Sequence, residues 1–402
     1  MTDDLRPDPD RVTPALKVFL VAVEESGDQL GAALICALRS RVSGAVAFSG
    51  VGGRKMTAEG LVSLHSTDDF SIMGVTAIPA RLPAILRHLR ETLRAVRTQR
   101  PDVLIVIDSP GYTQWVARLA RRANPSMPIV DYVSPSVWAW RPARARSMRR
   151  YIDHILALLP FEPEVHRRLG GPPCSYVGHP IVEQVGQLRP NAQEARRREA
   201  KPPVLLALPG SRSGEIQRLG AAFGDAVGCV RDRLGPLDVV VPTAPHLLDQ
   251  VTRVTASWPV QPRVVTEHAD KLAAFRIARA ALTKSGTVTL ELAIAGVPMV
   301  AAYKVSSFDA WLIRRVARVP SYILANLVIG ENVVPEIVQE ECTPERLAAA
   351  LIAIMEDSAG RRRQVEAFAR LDAIMAIGPS TPALRAADIV LDVLRRPPAS
   401  AA

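Results

Sequence analysis

Cysteine is scarce in this 402-residue chain, at four residues. Cys36, Cys174, Cys229 and Cys342 stand far apart, and no Cys-x-x-Cys pair occurs. That spacing excludes both a zinc knuckle and a disulfide framework and fits a reducing compartment. Cys36 and Cys229 fall in apolar helical patterns and are expected in the core. Aromatic residues are only 5% of the chain, so the core has to be mainly aliphatic. No uncharged apolar run approaches the roughly 20 residues of a membrane-spanning helix. The start, Met1 to Pro7, is acidic and broken by proline, which excludes a secretory signal with its basic head and apolar stretch. A cytoplasmic protein, free to lie against a membrane, is expected. No Asp-x-Asp follows a strand: Asp8-Pro9-Asp10 sits in the tail and Asp68-Asp69 precedes a helical pattern. Neither a metal nor another cofactor is therefore expected.

What is present is a globular composition, 48% hydrophobic and 22% charged, in a chain too long for one ordinary core. The formal net charge of +10 points to an anionic partner: a nucleotide, a nucleic acid or an acidic membrane surface. Short β-branched runs alternate with helical patterns. In the first half they are Lys17–Val23, Val46–Phe48, Val103–Ile107, Ile129–Val133 and Ile155–Leu159. In the second they are Val204–Leu208, Val239–Val241, Arg263–Val265, Ala280–Thr283 and Pro298–Ala302. This alternation predicts an α/β protein with two doubly wound parallel sheets. The expected division is a mobile tail over 1–15, a first domain over 16–185 and a second over 204–375. Between them, 186–203 reads as a linker, crowded with Arg196, Arg197, Arg198, Pro202 and Pro203. A C-terminal helix and tail over 376–402 is expected to pack back towards the first domain.

Ligands of open parallel sheets bind beyond the carboxyl ends of the strands, and the informative turns all lie there. Lys284-Ser285-Gly286-Thr287 leads from a strand into a helix. Its first amides have no intrahelical partner and carry the positive end of the helix dipole, which suits an anion. Gly286 lets a phosphate approach, Ser285 and Thr287 offer hydroxyls, and Glu291 stands one turn on, where it could accept from a ribose diol. A plain helix cap explains the same residues. Gly210-Ser211-Arg212 is a second turn of this kind, with Arg212 as a bidentate phosphate donor. Asp108 ends a strand in the other half and is a candidate general base, or simply a turn-stabilising carboxylate. Ser26 is expected to cap a helix, with Gln29 completing a capping box. Trp138 and Trp140 would share one face of an extended segment ending at Arg141 and could stack on a sugar. His179 reads as a hinge or capping residue.

Taken in order, Glu25-Ser26-Gly27-Asp28, Gly50-Val51-Gly52-Gly53, Ile72-Met73-Gly74 and the run Ser134-Pro135-Ser136-Val137-Trp138-Ala139-Trp140-Arg141 form a specific series. It continues through Val177-Gly178-His179-Pro180, Leu208-Pro209-Gly210-Ser211-Arg212 and Ser285-Gly286-Thr287 with Glu291. Over about residues 17 to 355 this series resembles the lipid-A-disaccharide synthase family. The resemblance implies a GT-B fold: two facing Rossmann-like domains with a cleft between them. It implies an inverting transfer of 2,3-diacylglucosamine from UDP-2,3-diacylglucosamine to the 6-hydroxyl of 2,3-diacylglucosamine 1-phosphate. Asp108 would be the base; Arg212, Ser285, Gly286, Thr287, Glu291 and Asn326 would hold UDP. Ser26, Gly52, Gly53, Trp138, Arg141 and His179 would add substrate contacts. No nucleic acid is implied. Acylated substrates imply contact with an anionic inner-membrane surface, for which Phe70, Ile72, Met73, Val75, Ile78, Leu82, Ile85, Leu86 and Leu89, interleaved with Arg81, Arg87 and Arg90, form one candidate segment. Trp311–Arg315 forms another. The chain departs from the family at Gly111 and Tyr112, where an acid and a phenylalanine are usual, at Val23, and at Ala325. Two other readings stand beside this one: another UDP-hexosamine transferase or epimerase of the same fold, and a non-catalytic nucleotide-sugar or lipid-binding relative.

Overall fold

The computed structural model describes residues 15–67, 78–306 and 320–396. Phe70, Ile72, Met73 and Val75 and the segment Trp311–Arg315 lie outside the described residues. The chain divides into two units, one built from 1–179 and 377–402, the other from 180–376.

The first unit carries seven strands: β1 (Leu16–Ala22), β2 (Val46–Val51), β3 (Val62–Ser63), β4 (Val103–Ile107), β5 (Ile129–Tyr132), β6 (His154–Ala157) and β7 (Cys174–Tyr176). They lie in the order β3-β2-β1-β4-β5-β6-β7, and each pairing is parallel. β1 and β4 are central, so helices cover both faces and their residues are apolar without alternation. Val18 to Ala22 and all of β4 are fully buried. The chain builds outward from β1 in one direction, then returns to β4 and builds in the other. The crossing between β1 and β4 is where a doubly wound sheet opens a crevice.

The second unit repeats the plan with β8 (Val204–Leu208), β9 (Asp238–Pro242), β10 (Arg263–Val265), β11 (Ala280–Lys284), β12 (Met299–Tyr303) and β13 (Glu336–Val338). The order is β10-β9-β8-β11-β12-β13, again parallel throughout, with the crossing between β8 and β11. The short strands β3, β7 and β13 went unread in the sequence.

Over 186–203, where a linker was expected, the structure has the helices Val185–Leu188 and Ala192–Glu199 packed on the second unit. Asn191 and Glu194 form a capping box. Arg198 donates to the carbonyls of Gly296, Ala295 and Phe275 at 3.0–3.1 Å, and Arg276 pairs with Glu194 at 2.7 Å. A run of arginines reads as solvated charge in one dimension; here the guanidiniums satisfy carbonyls left open at helix ends. The C-terminal helix Pro382–Arg395 packs on Glu25–Arg41 in the first unit, placing Ala386, Ala387 and Val390 in one core with Leu30, Leu34 and Leu38.

Two local expectations are corrected. Cys36 and Cys229 lie on helices, but both are exposed, on the faces turned from the core. Ser26 does not cap its helix: the helix begins at Glu25 after Glu24, with no side-chain cap bond, and the Ser26 hydroxyl is used elsewhere.

Among the described residues no helix is long and apolar enough to cross a membrane. The helix Ile78–Gln99 splits its apolar residues between two duties. Ile85 and Leu89 pack on the first unit's core, while Leu82 and Leu86 stand 50% and 40% exposed.

Candidate functional site

Each unit brings candidate residues together at the crossing point of its own sheet. In the first, β4 leads directly into Asp108, which takes a left-handed backbone with φ +54°, followed by Ser109 at +45°. Non-glycine residues reach this region at a cost of about 1–2 kcal/mol each, so the turn persists only where its surroundings hold it. The Asp108 amide donates to Tyr132 O at 2.9 Å, and Thr113 Oγ1 donates to Asp108 O at 2.6 Å. The half-buried carboxylate then accepts from Ser109 N at 2.7 Å and from Ser26 Oγ at 3.0 Å. Ser26 sits just past β1 and Asp108 just past β4, so the bond spans the sheet's crevice.

The neighbouring glycines are held by a buried acid that the sequence did not single out. Asp28 accepts from Gly53 N, Lys55 N and Met56 N at 2.8–3.0 Å, capping the helix Arg54–Ala58 from another element. A Cβ on Gly53 would stand 2.6 Å from Asp28 Oδ2, and one on Gly52 would meet Leu61 at 2.6 Å. These two glycines therefore serve close packing of this loop. Asp28→Ala, which leaves three amides without their carboxylate, is expected to destabilise the chain by about 3 kcal/mol. Urea unfolding checks this as a lower midpoint at unchanged slope; an unchanged midpoint would show that the amides find other partners.

An apolar cavity of about 690 Å³ opens beside Asp108, lined by Leu82, Leu86, Pro110, Gly111, Tyr112 and Trp115 among others. Gly111 is exposed, and a Cβ there would meet nothing within 4 Å, so the position has room for the family's usual acid. The two tryptophans of the specific run do not share a face, because the segment is turned rather than extended. Trp138 is half-buried, donates to Glu162 Oε1 at 3.2 Å and packs edge-on against Phe161. Trp140 is exposed, and the Arg141 guanidinium lies 4.5 Å from its ring centroid. His179, half-buried, is the last residue before the chain enters the second unit.

In the second unit a cavity of about 350 Å³ lies at the ends of β8 and β11, lined by Gly210, Ser211, Lys284, Gly286, Thr287 and Glu291, with Thr243 and Thr266 from the next loops and Lys271 from the helix His268–Ile277. Gly210 has φ +144°, and a Cβ on it would stand 2.4 Å from Glu215 Cβ. Glu215 accepts from Ser211 N at 3.0 Å and pairs with Lys284 at 2.8 Å, tying the two turns together. Gly286 faces open space, with only Lys284 Nζ near a notional Cβ, at 3.8 Å. Glu291 pairs with Lys271 at 2.5 Å. Neither lysine was singled out from the sequence. Lys284 closes a strand, a position that marks it; Lys271 lies on a helix, and nothing local does.

Three expected UDP contacts stand differently. Ser285 is buried and donates to Tyr322 O at 2.6 Å, so its hydroxyl braces the segment before the helix Leu324–Ile329. Asn326, 1% exposed, accepts from Val333 N and Val334 N and donates to Val334 O. It shapes that loop from inside. Arg212 is exposed at the N-cap of Ser213–Leu234 and is not among the residues lining the cavity. Among the described residues, His65, His88 and Glu91 bring donor atoms within 4.8 Å of one another, close enough to share a metal ion; the group includes no residue of either site.

A sequence profile described as lipid-A-disaccharide synthetase matches residues 18–377. The lipid-A-disaccharide synthase of Nitrobacter hamburgensis is 61% identical over 378 residues, covering 94% of this chain and 96% of the relative. That of Rhodospirillum centenum is 41% identical over 384 residues, covering 95% of each. Among solved structures, the UDP-GlcNAc 2-epimerase of Neisseria meningitidis superposes with TM-score 0.58 at 11% identity, covering 94% of this chain and 99% of that one. MurG of Acinetobacter baumannii gives 0.57 at 15%, covering 94% and 100%. At these identities the likeness shows the GT-B fold alone, so the epimerase lends this chain no activity. With the profile matched almost end to end and relatives more than half identical over nearly their whole length, this chain belongs to the lipid-A-disaccharide synthase family of glycosyltransferases.

Proposed function

We propose that the chain transfers 2,3-diacylglucosamine from UDP-2,3-diacylglucosamine to the 6-hydroxyl of 2,3-diacylglucosamine 1-phosphate, releasing UDP and the β-1,6-linked disaccharide 1-phosphate. The observation that carries the residue assignment is the Ser26–Asp108 hydrogen bond at the crossing of the first sheet, beside an apolar cavity that suits acyl chains. Inversion needs one in-line displacement. Asp108 takes the proton from the acceptor's 6-hydroxyl as that oxygen forms its bond to the donor's anomeric carbon. The bond from that carbon to the UDP oxygen breaks in the same step. Ser26 orients the carboxylate.

The second unit holds the leaving group. The open amides at Gly286 and Thr287 and the ammonium of Lys284 face developing negative charge on the diphosphate, in a site arranged before the reaction begins. Glu291, fixed by Lys271, accepts from the ribose hydroxyls. Ser285 braces this turn from outside the cavity through its bond to Tyr322 O. The exposed Leu82 and Leu86, together with the net charge of +10, support peripheral docking of the first unit on an anionic inner-membrane surface from the cytoplasmic side.

Purified chain with both acylated substrates is expected to form the disaccharide, seen by mass spectrometry, with UDP released only when both are present and at a rate unchanged by a chelator. Equal rates with a non-acylated acceptor would sink the substrate assignment.

A further inference from the structure

A second cavity in the first unit, about 620 Å³, lies on the other side of Pro110 and Trp115, which line both it and the apolar cavity. Its polar wall is made by Arg118, Arg141 and Arg144. None of the three forms an ion pair with a carboxylate among the described residues, whereas Arg39, Arg41, Arg121, Arg189 and Arg279 each do.

Like charges converge here because other groups hold them. Arg118 donates to Tyr151 Oη at 3.3 Å and lies over its ring at 4.8 Å. Tyr151 Oη donates to Gln114 Oε1 at 2.9 Å, and Gln114 Nε2 donates to Asp131 Oδ2 at 2.6 Å. Arg141 and Arg144 both stack on the exposed Trp140, at 4.5 and 5.4 Å, and Arg141 holds a left-handed backbone, φ +52°. Burial lowers the pKa of Arg144, and its two arginine neighbours lower it further. The acid behind them does not balance the charge, since burial keeps the Asp131 carboxyl largely protonated near neutral pH. Three aimed, uncompensated guanidiniums match a tetrahedral dianion.

We infer that Arg118, Arg141 and Arg144 form the binding site for the anomeric phosphate of the acceptor. This rests on the proposed reaction, in which the acceptor is an acylated sugar phosphate. The chemistry of that molecule fits the layout. Its 6-hydroxyl and 1-phosphate leave the same pyranose ring, and Asp131 feels both the Asp108 carboxylate and the Arg144 guanidinium. The acyl chains have the apolar cavity across the shared Pro110–Trp115 wall. The site therefore selects an acceptor that carries the phosphate over a neutral acylated sugar.

The test is equilibrium binding of 2,3-diacylglucosamine 1-phosphate and of its 1-hydroxyl counterpart to the full chain in neutral detergent micelles. The native chain, Arg118→Gln and Arg144→Gln are compared, with thermal melts as folding controls. Each substitution is expected to weaken binding of the phosphorylated ligand about ten-fold or more and to leave the hydroxyl ligand and free UDP unchanged. Arg118 is exposed, so its variant keeps the test open if Arg144→Gln folds poorly. Equal losses for both ligands, or none for either, overturn the assignment. Loss of binding to phosphatidylglycerol vesicles with the acceptor preference intact also overturns it, assigning the arginines to a membrane headgroup instead. Binding is read without turnover, so failure of this site and failure of the transfer reaction are separable.

Discussion

Asp108→Asn is expected to lower kcat by roughly 10²–10⁴-fold while leaving UDP affinity and the melting temperature close to native. Asparagine is the informative substitution because it keeps the shape of the side chain and tolerates the left-handed backbone that Asp108 adopts. The two carboxylate oxygens accept separately, one from Ser109 N at 2.7 Å and the other from Ser26 Oγ at 3.0 Å; the asparagine oxygen keeps the bond from Ser109, and its NH2 can donate to the Ser26 hydroxyl in place of accepting from it. What asparagine cannot do is take a proton from the acceptor hydroxyl. Steady-state kinetics with both lipid substrates, paired with calorimetric titration of UDP, reads the two effects apart. Native kcat in this variant would remove Asp108 from the chemistry and leave it as a turn-holding residue.

The second large effect concerns Asp131, 1% exposed on β5. Burial raises its carboxyl to about 8; the bond from Gln114 opposes that, and the nearby Asp108 charge adds to it. In the unfolded chain the carboxyl has its ordinary value of 3.8, so between these limits the folded state binds the extra proton. Its contribution to stability is complete below the unfolded pKa and is lost as pH rises through the folded one. Asp131→Asn mimics the protonated acid and does not titrate. The variant's advantage over the native chain is therefore expected to grow by something on the order of 4 kcal/mol between pH 5 and pH 8, then level off. Urea unfolding at several pH values measures it. A difference flat with pH would mean that Asp131 is ionised in the fold, and that the Arg118–Arg144 cavity is less positive than inferred.

Both effects arise from strand runs that the sequence already displayed, Asp108 just past β4 and Asp131 within β5, but by different routes. Asp108 was legible because it ends an apolar run before Ser109-Pro110, where ligands of parallel sheets bind. Asp131 reads as one polar residue within Ile129–Val133. Its importance comes from being enclosed, which depends on β4 and β6 flanking β5.

The sequence by itself determined the two parallel α/β units, the turns at Gly210 and Ser285-Gly286-Thr287, the candidate base and the family. Strand runs, glycine turns and motif spacing are properties of neighbours along the chain. Only the tertiary structure decided which groups share a site. Ser26 meets Asp108 across 82 residues, and Lys271 from a helix and Lys284 from the end of β11 join the cavity of the second unit. Ser285 and Asn326 turn inward to brace a loop, and three arginines from two segments meet with no carboxylate paired to them among the described residues. Those outcomes follow from strand order and from burial, which sets whether a polar group bonds to protein, binds a ligand or holds its proton. Neither is written in the spacing of residues along one segment.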